Sequence, residues 1–95
     1  MPHWYDGPLE WLPHALDQIA ERRLDRRMVE EALRSPDQIV AAQEGRFAAH
    51  KWTTTPRRLR RALLRVIFEE RPDRRLIVTA FLTDRPHRYW EGPMP

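Results

Sequence analysis

Residues 62–83 read ALLRVIFEERPDRRLIVTAFLT, and this stretch decides the fold. Ala62 to Glu69 and Arg75 to Thr83 are dense in Leu, Val, Ile and Phe, side chains that suit a pleated, half-buried surface. Arg71-Pro72-Asp73 between them carries turn chemistry, because proline presets the backbone and aspartate can bond to its own main chain. The segment therefore predicts two adjacent antiparallel strands at the centre of a sheet.

Upstream, Gln38 to Ala42 and Arg46 to Thr53 flank Glu44-Gly45 and predict a hairpin that adds two more strands. Thr54 to Arg61 reads as a polar, basic loop around Pro56. Earlier still the apolar period becomes helical. From Pro13 to Arg23, Ala15, Leu16, Ile19 and Ala20 share one stripe, with His14, Gln18, Glu21 and Arg22 opposite. Asp25 is a natural N-cap for a second helix to Arg34, with Met28, Val29, Ala32 and Leu33 on its apolar stripe and Ser35-Pro36 as the stop. The expectation is an α+β fold: two N-terminal helices packed on one face of a four-stranded antiparallel sheet in meander order, the other face open to a ligand. Residues 1–95 read as one domain, with an irregular lead-in over 1–12 and a tail over 84–95.

Ninety-five residues suffice for one core and not for two. The chain has no cysteine, which removes disulfides and thiolate metal sites and fits a reducing compartment. Leu76 to Leu82 has a strand's length and cannot cross a bilayer, and the N-terminal residues lack the form of a signal peptide, so a cytoplasmic protein without a membrane partner is expected. The net charge of +3 conceals an asymmetry. Residues 1–45 carry five Arg against nine acids, a balance of −4; residues 46–95 carry eleven Arg and Lys51 against five acids, a balance of +7. Arginine forks match phosphate oxygens two at a time, so this half is expected to meet a negatively charged partner, RNA above all.

His14-Ala15-Leu16 opening one helix, Ala20-Glu21-Arg22 ending it, and Val29 to Asp37 on the second, together with Leu64 to Ile67 and Val78 to Phe81, resemble a small bacterial domain of uncharacterised function. Its members carry a His-Ala…Glu-Arg helix signature and are grouped with the RelE-like toxin ribonucleases of the barnase, EndoU, colicin and RelE assemblage. The resemblance covers residues 12–83. It implies a RelE-like fold and an mRNA interferase-like toxin of a toxin-antitoxin or conflict system, held by an acidic antitoxin-like protein. The chain departs from the pattern at Leu12, where a Ser or Thr cap is usual, at Arg23, where Gly is usual, and at Phe81, where many relatives carry Tyr. If that tyrosine has a role, Tyr89 would have to fill it.

RNA cleavage without a metal needs a base, an acid and fixed cations around the phosphorane. Histidine and arginine supply these here, and no metal-binding spacing or cofactor motif is present in the sequence. His14, Arg22, Lys51 and Arg65 are the catalytic candidates. Arg57, Arg58, Arg60, Arg61, Thr79, Arg85 and Tyr89 are the candidates for substrate binding, with Tyr89 and Trp90 either a base-stacking platform or a tail packed onto the domain. Arg65 stands inside an apolar strand, where it is either a ligand-binding cation or half of a structural ion pair. His50 and Lys51 alternate along one strand and must face opposite ways. Three functions remain open: a metal-independent endoribonuclease, a non-catalytic module that binds nucleic acid or an acidic protein, or an accessory subunit whose exposed tryptophans mark a protein interface.

Overall fold

The structure, a computed structural model, describes residues 4–54 and 61–95. In chain order they form β1 (Leu9–Trp11), α1 (Pro13–Glu21), α2 (Arg26–Arg34), β2 (Gln38–Ala41), β3 (Phe47–Thr54), β4 (Arg61–Glu70) and β5 (Arg75–Thr83), with short 3-10 turns at Gln43–Gly45 and Pro86–Arg88. The sheet is five-stranded in the order β1-β5-β4-β3-β2. Strands β2 to β5 form the expected antiparallel meander.

The fifth strand corrects the expectation of four antiparallel ones. Leu9, Glu10 and Trp11 pair in parallel with Arg75, Leu76 and Ile77, making the sheet mixed. Leu9-Glu10-Trp11 alternates over only three residues, too short a run to mark a strand, and its partner lies at the far end of the chain. The lead-in is tied down further. Arg75 N donates to Pro8 O at 3.0 Å and Tyr5 N to Arg34 O at 2.9 Å, the Arg34 guanidinium donates to the Gly7 carbonyl, and that of Arg75 lies 4.1 Å from the Tyr5 ring centroid.

Both helices start and stop for local reasons. Asp25 Oδ1 accepts from Arg27 N at 2.9 Å and caps α2, whereas Leu12 has no side chain that could cap α1. Helix α1 ends in a Schellman turn: Leu24 N donates to Ile19 O and Arg23 N to Ala20 O, at 2.9 and 3.2 Å. Arg23 therefore takes the left-handed position, φ 56°, which glycine occupies most cheaply.

Helix α1 packs over β5, and α2 over β3 and β4. Ala15, Ile19, Val29, Ala32 and Leu33 meet Ala49, Leu64, Val66, Phe68, Ile77 and Ala80 in one core. Each large side chain buried there contributes about 1.5–3 kcal/mol. Among the described residues no helix is long and apolar enough to cross a membrane.

Candidate functional site

On the sheet face away from the helices, strand alternation aligns one residue from each of four strands. Gln38 pairs with His50, His50 with Arg65 and Arg65 with Phe81, so a row crosses β2, β3, β4 and β5. The tail crosses this row. The Gln38 amide donates to Glu91 O at 2.6 Å and accepts from Glu91 N at 3.1 Å. Trp90 sits 6.0 Å from the His50 ring and 5.2 Å from Trp52, and Tyr89 meets Phe81 edge-on at 5.7 Å. The face expected to be open is thus partly covered, because the apolar and aromatic side chains of this face bury area against Tyr89 and Trp90.

Arg65 resolves differently from either expected alternative. Its Nη1 donates to His50 Nε2 at 2.8 Å, and its guanidinium stacks 4.7 Å from the Tyr89 ring centroid. His50 Nδ1 in turn donates to Gln38 Oε1 at 2.9 Å, which fixes the neutral tautomer. The imidazole is fully buried. Burial first, and the adjacent Arg65 charge second, push its pKa down from 6.5 to about 4. Burial also lowers the pKa of Arg65, while Tyr89 and Glu91 act the other way. The cation is thus held by a neutral acceptor and an aromatic face, and among the described residues no carboxylate is hydrogen-bonded to it, Glu91 acting only through space.

Beside the row lies a cleft of about 520 Å³. Ile67, Val78 and Phe81 give it apolar lining, Arg65, Thr79 and Tyr89 mark one side, and the β2–β3 turn from Ala41 to Glu44 with Arg46 forms the other. A bulge shapes it. Ile67 pairs with Thr79 but Phe68 pairs with Ile77, so Val78 is an extra residue and both Val78 and Thr79 reach the cleft. Arg46 is neutralised, 3.1 Å from Glu69 and 3.7 Å from Glu44.

Thr79 joins this cleft to helix α1. Arg22 Nη1 donates to Thr79 Oγ1 at 2.9 Å and to Ala80 O at 2.7 Å. Thr79 Oγ1 donates to Gln18 Oε1, and Gln18 Nε2 donates to His14 Nε2 at 2.9 Å. His14, Gln18 and Arg22 stand four residues apart, one line along the helix. The structure therefore links Arg22 directly, and His14 through Gln18, to Thr79, which lines the same cleft as Arg65.

Lys51 is not part of this group. It faces the helices, where Nζ donates to Ser35 O at 2.6 Å and Ser35 Oγ at 3.2 Å, 4.0 Å from Asp37. A cation there complements the carbonyl end of α2, and alternation with His50 forces the placement. Arg61 lies over Trp52, 3.9 Å from the ring centroid, and Arg85 is exposed beyond β5. Arg57, Arg58 and Arg60 lie outside the described residues. Gln18, Gln38 and His50 were missed as site residues. Gln18 shares His14's polar helix face and could have been found by spacing; the partners of Gln38 and His50 come from other strands and the tail.

Residues 11–82 match a family described as a domain of unknown function, DUF4258. No curated protein and no solved structure matches the chain.

Proposed function

We propose that this chain, which belongs to the DUF4258 family, binds RNA and cleaves it without a metal, as an mRNA interferase-like toxin of RelE-like type acting in the cytoplasm. One observation carries the proposal: Arg65 is held in a cleft by a neutral histidine, so its positive charge is available to a phosphate. His14 takes the proton of the 2′-hydroxyl, the 2′-oxygen attacks phosphorus, and the bond to the 5′-oxygen breaks. Arg65 and Arg22 balance the charge of the phosphorane, and the Tyr89 hydroxyl returns a proton to the leaving oxygen. The products are a 2′,3′-cyclic phosphate and a 5′-hydroxyl. An acidic antitoxin-like protein would hold the toxin inactive by covering the same cations.

A second function, a non-catalytic RNA-binding module, draws on a different observation. Arg22 Nη1 is already bonded to Thr79 and Ala80, as a positioning group would be. Incubating the purified chain and its His14→Ala and Arg65→Met variants with total RNA in EDTA separates the two. Cleavage by the wild type alone, ending in cyclic phosphate, supports the enzyme. Tight binding with RNA left intact overturns it and leaves the module.

A further inference from the structure

The Arg65 cleft differs chemically from one end to the other, and the difference selects a ligand. At one end stands Arg65, a half-buried cation whose hydrogen-bond partner His50 is neutral. At the other stand Gln43 and the Glu44 carboxylate, on a turn that leaves Glu44 largely in solvent and 3.7 Å from Arg46, a cation that Glu69 also pairs, at 3.1 Å. Between them Ile67, Val78 and Phe81 remain only partly buried, an apolar surface in the middle of a sheet that the tail does not seal. The volume, about 520 Å³, falls in the range of about 300–1,000 Å³ found for small-molecule sites.

A fitting ligand carries an anion at one end, a flat apolar body in the middle and hydrogen-bond donors at the other end. We infer that the cleft is a site for a single unstacked nucleotide, its phosphate on Arg65, its base over Ile67, Val78 and Phe81, and an exocyclic amine directed to Glu44. The inference rests on the RNA-binding function above and sharpens it: one base is lifted out of the strand and read, as proteins commonly read single-stranded RNA. Bases with an exocyclic amine, adenine among them, are preferred over uracil, which has none.

Calorimetric titration of the full chain with adenosine 3′-monophosphate, uridine 3′-monophosphate, adenosine and inorganic phosphate tests this. Saturable 1:1 binding of the adenine nucleotide, at least about tenfold tighter than phosphate or adenosine alone, is the expected result, since each 1.4 kcal/mol is tenfold. Arg65→Met should weaken the nucleotide and phosphate together. Val78→Ser should weaken the nucleotide and leave phosphate unchanged, and Glu44→Gln should reduce the preference for adenine over uracil. Circular dichroism and melting curves establish that each variant is folded, and Phe81→Leu replaces Val78→Ser if the latter is not. Equal binding of phosphate and nucleotide, or no saturable nucleotide binding, overturns the inference. RNA cleavage without nucleotide binding would refute this site and leave the proposed function standing; nucleotide binding without any RNA binding would do the reverse.

Discussion

The guanidinium of Arg65 hydrogen-bonds to the buried imidazole of His50 at 2.8 Å, a cation seated on a neutral histidine between two neighbouring strands. A carboxylate in the same place would have cancelled the charge that the cleft presents. The histidine fixes the direction of the guanidinium and leaves its charge intact, and the consequences for stability and binding can be separated.

Arg65→Met keeps the packing of the stem and removes the charge. The folded state loses the stacking on Tyr89 and leaves the buried His50 Nε2 without its donor, a cost of about 1–3 kcal/mol that relief from a partly desolvated cation offsets. The melting temperature should stay within about 4 °C of the wild type, while RNA binding falls at least tenfold. A large loss of stability with RNA binding intact would move Arg65 from the site to the scaffold.

His50 makes the fold sensitive to acid. Its folded pKa, about 4, lies below its unfolded value of 6.5, so the unfolded chain takes up the proton first. Stability is therefore full above about pH 6.5 and falls as the pH drops towards 4, by up to about 3 kcal/mol. Urea midpoints of wild type and His50→Asn across that window should differ in slope, since other titrating groups are common to both. Parallel curves would show that His50 titrates normally.

Gln38 holds the tail by both ends of its amide. Gln38→Ala should speed amide exchange and proteolysis over residues 85–95 and leave protection of β4 and β5 unchanged. Loss of protection throughout the sheet would mean that the tail is part of the cooperative core.

Arg23 occupies a left-handed position that costs an ordinary L-residue roughly 1–2 kcal/mol. Arg23→Gly should raise the melting temperature by about 4–8 °C for each kcal/mol recovered. An unchanged or lower value would show that the flexibility glycine adds to the unfolded chain outweighs the relief.

The basic stretch should act through phosphate alone. Replacing Arg57, Arg58, Arg60 and Arg61 with Ser should flatten the dependence of log affinity on log salt by roughly 0.7 for each single-strand phosphate that the chain no longer neutralises. An unchanged slope would make the stretch a solvated run of charge.

By itself the sequence determined what depends on neighbours along the chain. Helical and strand periods, the Asp25 cap, the Pro36 stop and the Pro72 turn act over a few residues, and they placed two helices and the four-stranded meander within a few residues of where they lie. The same periodicity set His14, Gln18 and Arg22 on one helix face and forced His50 and Lys51 apart. Tertiary structure decided everything that depends on which strands become neighbours. The parallel strand Leu9–Trp11, the row from Gln38 through His50 and Arg65 to Phe81, the bulge at Val78 and the tail over that row join residues distant in sequence. No local pattern encodes such pairings, because their energy appears only when the sheet has closed and the apolar area they share has left water.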